Sequence, residues 1–391
     1  MYRIRCLNNI SEKGLNVFKD QGYELGESIL DCDAIVLRSH RLSEQELNSE
    51  VLAIGRAGAG VNNIPVEVCT DKGVVVFNTP GANANAVKEL VLAGLLLSVR
   101  GISEGINFVQ NLDPQFDKKE MNKIVESSKK AFKGTELRGK TLGVLGLGAI
   151  GSKVAETALN LGMKVLGYDP ALSVEAAWKL SSQVERIDDL PSLFAGADIV
   201  TLHIPASKET IGIVGKDLIN NFKNSGVLLN FSREEIVDEE ALRQALASGK
   251  VKKFISDFPT PGISGLENVI SMPHLGASTY EAEENCAFMV ASQITEFLKT
   301  GNISNSVNFP EVSLERTRGS FRIAVVNRNV PKILGNVLSA LAEKNINVLD
   351  MLNKSKNEIA YNLIDIDTVV SNQLLDEISG IEGVVSARGF H

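Results

Sequence analysis

Cysteine is scarce in this chain. Four occur among 391 residues, at Cys6, Cys32, Cys69 and Cys286. No two are spaced as in a zinc finger or a redox dithiol, and a chain of this length has no need of disulfide staples. They read as reduced thiols of a cytosolic protein, and no metal-ligand set is expected. Long apolar runs are also missing. The longest, 90–97, contains Gly94 and is too short to span a bilayer. The N-terminal MYRIRCLNNISEKG lacks the apolar stretch of a signal peptide, so no membrane partner is expected. Positive charge is not in excess. A net charge of −8 argues against nucleic acid as a partner. An anionic ligand would need local cations or helix N-termini.

What is present is an ordinary globular composition, 44% hydrophobic and 23% charged, in a chain long enough for two or three domains. Up to about residue 85, strand-like runs at 2–7, 34–37, 51–54 and 74–77 alternate with helical ones at 12–20, 44–47 and 66–71. This βαβα rhythm implies a parallel sheet with helices on both faces. The turn NTPGANAN leads into an apolar helix over 86–100. In the charged stretch 113–140, Met121, Ile124 and Val125 mark one amphipathic helix. A second alternating unit runs from Thr141 to about Met272, and helix 280–298 follows it. Residues 301–318, GNISNSVNFPEVSLERTR, have little periodicity and read as a linker. Beyond it come strand 321–326, helix 331–344, strands 346–351 and 359–366, helix 371–379 with a serine cap, and strand 384–390. That is the βαββαβ order of a ferredoxin-like fold. The expected class is therefore α/β, with two doubly wound Rossmann-like domains and a small C-terminal domain. The expected boundaries are 1–87 completed by 278–312, then 88–277, then 318–391.

The strongest motif is GKTLGVLGLGAIGSKVAETALNLGMKVLGYDP. A strand at 142–145 runs into Gly146, Gly148 and Gly151, with Ala149 and Ile150 between the last two. Helix 152–161, strand 165–168 and Asp169 follow. Gly146 permits the tight turn, Gly148 the approach of a pyrophosphate, and Gly151 the packing of helix on strand. The pyrophosphate sits at the helix N-terminus, where free N–H groups favour an anion. Asp169, 18 residues beyond Gly151, is placed to bind a ribose diol and to repel a 2′-phosphate. The cofactor expected is NAD rather than NADP.

Two later segments bear on chemistry. In VLLNFSREEIVD a strand runs into Asn230, Ser232 and Arg233. An arginine at the carboxyl end of a parallel strand lies where such sheets bind ligands, and its planar fork suits a carboxylate. A solvated surface arginine beside Glu234 and Glu235 is the alternative. In NVISMPHLGAST a strand ends at Pro273 and His274. The four histidines are His40, His203, His274 and His391. Oxidising an alcohol by hydride transfer needs a base for the hydroxyl proton, and histidine suits that task near neutral pH. A structural histidine in a turn is the alternative.

The ordered set GLGAIG, Asp169, TLHIP, NFSR and MPHLGAST resembles the D-isomer-specific 2-hydroxyacid dehydrogenases over residues 1–312. Within them, RAGAGVNNI, NTPGANANAV and PHLGAST followed by EAEEN are similar to the branch acting on D-3-phosphoglycerate. The C-terminal module resembles an ACT domain, a small-ligand regulatory unit. The resemblance implies NAD-dependent oxidation of D-3-phosphoglycerate to 3-phosphohydroxypyruvate, at the head of serine synthesis, by a homo-oligomer. It implies that Arg233 binds the substrate carboxylate and carbonyl and that His274 exchanges the proton. Asp257 would hold the nicotinamide carboxamide, with His203 and Pro205 lining the cofactor site. Ala57, Gly58 and Gly60 would offer backbone N–H groups, and Arg38, Ser39 and Asn83 would contact substrate. Lys130 would be lent by a neighbouring subunit, and Lys88 adds a further cation. Asn329 and Asn347 match positions that bind an L-serine effector, although Asn327 stands where a histidine is frequent and Lys332 where a glycine is.

One departure stands out. The family's DVF-x-x-EP segment carries a glutamate that pairs with the histidine, whereas SDFPTPG at 256–262 has Asp257 and no glutamate. Glu234 and Glu235 are the surrogates the sequence offers. A dehydrogenase for another D-2-hydroxy acid and a catalytically weak NAD-sensing protein are the competing readings.

Overall fold

The computed structural model describes residues 1–390, so His391 lies outside the described residues. The chain forms two compact units. One comprises Met1–Asn83 and the chain from Tyr280 onward, and the other is Ala84–Thr279.

The first unit opens with five parallel strands: β1 (Arg3–Cys6), β2 (Glu24–Gly26), β3 (Ala34–Leu37), β4 (Ala53–Arg56) and β5 (Val75–Phe77). Their order is β2-β1-β3-β4-β5. The central β3 reads Ala-Ile-Val-Leu and is buried throughout, as a strand covered by helices on both faces must be. The sequence reading omits β2, a three-residue edge strand of Glu, Leu and Gly that carries no alternating apolar signal.

The second unit holds seven parallel strands: β6 (Thr141–Leu145), β7 (Lys164–Tyr168), β8 (Val184–Arg186), β9 (Ile199–Leu202), β10 (Gly226–Asn230), β11 (Val251–Ser256) and β12 (Val269–Ser271). Their order is β12-β11-β10-β9-β6-β7-β8. The chain winds outward from β6 in one direction and then from β9 in the other. The switch point thus falls between β6 and β9, where doubly wound sheets bind ligands at their carboxyl ends. The charged stretch forms helix Lys118–Ser128, and a helix the sequence did not suggest, Ile102–Gln110, precedes it.

The first unit ends in an antiparallel sheet of β13 (Phe321–Arg328), β14 (Val348–Lys356), β15 (Ile359–Ile366) and β16 (Val384–Phe390). The order β14-β15-β13-β16 is that of a ferredoxin-like unit. Phe321, Ile323, Val325, Ile364 and Ile366 face its helices, Ile333–Glu343 and Asn372–Ser379. Ala324, Val326, Tyr361, Leu363 and Phe390 face the opposite way, into the apolar cluster of Phe77, Phe297, Leu298 and Phe309. This sheet is therefore covered on both faces. Ser371 stands at the second helix's N-terminus, but its side chain makes no capping bond.

The stretch read as a linker is part of that packing. Ile303, Phe309 and Val312 are buried. Asn308 accepts from Val76 N–H at 2.9 Å and donates to the Val74 carbonyl at 2.9 Å. A side chain here satisfies backbone groups on the free edge of β5. The segment lacks periodicity because it caps an edge rather than forming an element of its own.

Candidate functional site

The candidate residues of the second unit follow the carboxyl ends of its strands: Gly146 after β6, Asp169 after β7, His203 after β9, Arg233 after β10, Asp257 after β11 and His274 after β12. Six segments distant in sequence thus supply one end of a single sheet.

The glycine loop has the shape its motif requires. Gly146 has φ +91°, and a Cβ there would lie 2.5 Å from the His203 carbonyl oxygen. A Cβ on Gly151 would fall 1.9 Å from the Gly146 oxygen. Gly148 differs, because a Cβ there would meet nothing within 4 Å. Its backbone faces open space where a phosphate group can approach. Helix Gly151–Asn160 starts at Ile150 with no side-chain cap; Ser152 N–H turns back to the Gly148 carbonyl at 3.0 Å, which leaves the N–H groups of Gly151 and Lys153 for an anion. Asp169 accepts from Leu147 N–H at 2.8 Å and Ala171 N–H at 2.9 Å. These bonds fix the carboxylate beside the loop, with further lone pairs for a ribose diol.

His203 is held by its own strand. Its Nε2 lies 2.9 Å from Thr201 Oγ1, while Nδ1 is buried and has no partner. Burial pushes its pKa down to about 3, so the ring is neutral. An orphaned buried nitrogen beside the glycine loop fits a bound cofactor. Pro205 follows, its carbonyl taking a bond of 2.6 Å from Thr210.

Arg233 is half-buried, and its Nη1 donates to the Ser232 carbonyl at 2.6 Å. Its guanidinium lies 5.9 Å from the Phe258 ring centroid, and the His274 ring packs on the same Phe258 at 4.6 Å. Phe258 thus brings the two candidate catalytic groups together. The sequence reading missed it, although its place directly after Asp257 was the available signal. Glu234 and Glu235 are exposed, and neither forms an ion pair with Arg233 or His274 among the described residues. Asp257 is buried and accepts from Gly276 N–H at 2.9 Å. Burial pushes its carboxyl above the ordinary range, against the pull of that hydrogen bond and of His274. Lys88 lies on helix Ala84–Val99, 3.4 Å from Glu89, and Lys130 is exposed.

In the first unit, Arg38 pairs with Glu283 at 2.7 Å and Ser39 N–H donates to Asn8 at 3.0 Å. Asn83 has a buried side-chain oxygen without a partner. The loop after β4 corrects one expectation. The Ala57 and Gly58 N–H groups already donate to the Leu37 and Arg56 carbonyls, both at 2.8 Å, because the chain turns there. Among the described residues the N–H groups of Ala59 and Gly60 have no such acceptor, so donation to a ligand falls to them. Arg56 braces the loop through the carbonyls of Arg38 and Gly60.

Asn329 and Asn347 are not brought together. Asn329 follows the Arg328 end of β13, and Asn347 precedes the Val348 end of β14. Through β15, Arg328 aligns with Ile359 and Val348 with Ile366, so the two asparagines stand at opposite ends of the sheet. Lys332 adopts φ +77°, a left-handed conformation that a side chain holds at a cost of about 1–2 kcal/mol. The backbone keeps the glycine-like turn although the residue is lysine. The described residues contain no helix able to cross a membrane and no cluster of three metal-ligating side chains.

Residues 99–276 match the family model for the NAD-binding domain of D-isomer specific 2-hydroxyacid dehydrogenases. The chain is 33% identical to the D-3-phosphoglycerate dehydrogenase of Haemophilus influenzae over 381 residues, covering 94% of this chain and 88% of that one. It is 35% identical over 338 residues to the enzyme of that name from Methanocaldococcus jannaschii, and there the match spans only 61% of the relative's length. Among solved structures, the NAD⁺-bound 3-phosphoglycerate dehydrogenase of Entamoeba histolytica aligns with a TM-score of 0.62 and 28% identity, over 78% of this chain and 98% of that one.

Proposed function

The chain belongs to the D-isomer-specific 2-hydroxyacid dehydrogenases, and from that premise we propose that it oxidises D-3-phosphoglycerate to 3-phosphohydroxypyruvate with NAD, the first step of L-serine biosynthesis. The observation that carries this reading is the pairing of Arg233 and His274 across the Phe258 ring, at the same sheet end as the glycine loop. Bound NAD supplies the acceptor for the hydride leaving C2 of the substrate. Arg233 holds the substrate carboxylate and polarises the forming carbonyl. His274 takes the hydroxyl proton as the hydride departs, and returns it in the reverse direction. Gly146, Gly148, Ala149, Ile150 and Gly151 cradle the pyrophosphate, and Asp169 holds the ribose diol. Arg38, Lys88 and Lys130 supply positive charge for the phosphate, with Ser39, Asn83 and the loop at 57–60 completing the substrate contacts.

The test is NADH absorbance from purified protein given 3-phosphoglycerate, glycerate or lactate. Turnover is expected with 3-phosphoglycerate at the highest kcat/KM. Arg38→Gln should raise its KM roughly ten- to hundred-fold, the loss of a charge-assisted hydrogen bond, while sparing NADH binding. A preference for lactate or glycerate would favour the unphosphorylated-acid reading. NADH binding without turnover of any of them would favour a sensing protein.

The reaction belongs in the cytoplasm, with the cofactor and the thiols in a reducing compartment. The protein acts as a homo-oligomer. Leu96, Ile102, Ile106 and Val109 are exposed apolar residues on successive helices of the second unit, a surface that suits a second copy. The C-terminal sheet serves as an ACT-type module for L-serine. Because Asn329 and Asn347 lie at opposite ends of one sheet, a single serine can meet both only where two modules adjoin. Calorimetry is expected to show serine binding and kinetics to show inhibition. No heat and unchanged activity would overturn this assignment.

A further inference from the structure

At the amino ends of β6, β9 and β10, away from the carboxyl ends followed by Gly146, His203 and Arg233, the second unit has a cavity of about 260 Å³. That is small beside the roughly 300–1,000 Å³ of pockets for drug-sized ligands, so its occupant is small. Three lysines line it, Lys140, Lys223 and Lys252, against a single acid, Asp198. Both oxygens of that acid are in use. Asp198 Oδ2 accepts from Thr141 N–H at 2.8 Å, and Oδ1 from Lys223 Nζ at 2.9 Å. Burial raises its carboxyl, but the Thr141 bond, the Lys223 bond and charge and the Lys140 charge outweigh that and leave it below the ordinary range. Asp198 is therefore a carboxylate at neutral pH and balances one lysine. Among the described residues Lys140, half-buried, and Lys252, exposed, form no ion pair. In a chain of net charge −8, two positive charges thus face one small cavity unopposed.

The C-terminal end of helix Ala84–Val99 also borders the cavity, and bare carbonyls there would repel an anion. They have donors, however. The Val99 carbonyl accepts from Thr135 N–H at 2.9 Å and the Leu97 carbonyl from Lys253 Nζ at 3.5 Å. In the turn before β10, where Ser225 adopts φ +63°, the N–H groups of Asn224 and Ser225 have no acceptor among the described residues. We propose that this cavity binds a small phosphate-bearing anion, inorganic or a phosphoester, on Lys140, Lys223 and Lys252, apart from the site at the other end of the sheet. A lysine meets an anion as a point charge, which suits a tetrahedral phosphate, and the arginine fork that favours planar carboxylates is absent from the lining. An ammonium has three donors, so Lys223 can keep Asp198 and hold an anion as well. The site stands independently of the dehydrogenase reading.

The experiment is calorimetric titration of the full chain with inorganic phosphate, glycerol phosphate and malonate at low ionic strength. NADH is kept saturating, so that the glycine loop is filled. Arg38→Gln serves as the parent, so that a phosphate contact proposed for the substrate is removed. Lys140→Gln, Lys252→Gln and the double change are made in that parent. Phosphate or the phosphoester is expected to bind the parent. Each lysine change should weaken binding about ten-fold, the loss of one charge-assisted hydrogen bond. Lys223 is left in place because it also holds Asp198. Lys252 is exposed, and its variant carries the test if Lys140→Gln fails to fold. Tighter binding of the phosphoester than of phosphate would assign the site to a phosphorylated metabolite, and the reverse to free phosphate. No binding to the parent would overturn the proposal. So would an affinity unchanged in the double variant, or malonate bound more tightly than either phosphate compound.

Discussion

Replacing His274 with asparagine is expected to lower kcat for 3-phosphoglycerate oxidation by about 10²- to 10⁴-fold, the range that a positioned acid–base group supplies. Asparagine keeps a polar side chain of similar reach but cannot take a proton at neutral pH. The loss should therefore fall on kcat, with NADH affinity within a few-fold of wild type, because the glycine loop and Asp169 are untouched. Arg233→Ala should differ in kind. It removes the fork proposed above to meet the substrate carboxylate, so KM should rise as kcat falls. Steady-state kinetics with a parallel NADH titration separate the two patterns. A His274→Asn enzyme retaining more than a tenth of wild-type kcat would show that the hydroxyl proton leaves by another route.

The second large effect concerns stability. Arg322 and Asp365 are both fully buried and form a two-pronged pair, Nε to Oδ1 at 2.6 Å and Nη2 to Oδ2 at 2.9 Å. Arg322 Nη1 also donates to the carbonyls of Thr300 and Leu314, at 3.2 and 2.9 Å, and Asp365 accepts from Thr317 N–H at 2.9 Å. Removing one partner strands a buried charge, so Asp365→Asn or Arg322→Met should cost about 3–5 kcal/mol. The double change to apolar residues should cost less than either single one, since no charge is left unpaired. Denaturant midpoints of the three variants test this, and a double variant as damaged as the sum of the singles would refute it. Burial raises the Asp365 carboxyl, but the bonds from Arg322 and Thr317 and the charges of Arg322 and Arg316 outweigh it, leaving its pKa below the ordinary value. The pair's contribution is therefore present above the unfolded carboxyl's pKa of about 3.9 and is lost as pH falls through the folded one.

The cofactor loop was legible in the sequence because three glycines there answer to separate steric demands, and the structure shows each demand. Arg233 and His274 were legible as ends of apolar strands, though their meeting at Phe258 was not, because β10 and β12 are joined only through β11. The short edge strand β2 was invisible because three residues carry too little pattern. The segment at 301–318 misled for a different reason. Its buried Ile303, Phe309 and Val312 follow no helical or strand period, since the neighbours they pack against come from elsewhere in the chain. A signal for that packing did exist. β13, FRIAVVNR, and β15, IAYNLIDI, carry apolar residues at adjacent positions and so on both faces, which a sheet with one wet face would not, and both strands are buried almost end to end.

The doubly covered C-terminal sheet matters to anyone who cuts the gene. A boundary drawn near residue 318, where the sequence looks loose, would sever a core and not a tether. The remaining fragment would expose Phe297, Leu298 and Phe309 to water. The carbonyls of Thr300 and Gly301 would lose the donors they now receive from Arg322 and the Tyr361 hydroxyl. Such a truncation would report on a damaged fold before it reported on regulation. Deleting the module is therefore a poor way to test whether it binds an effector, and point changes at its solvent-facing loops are a better one.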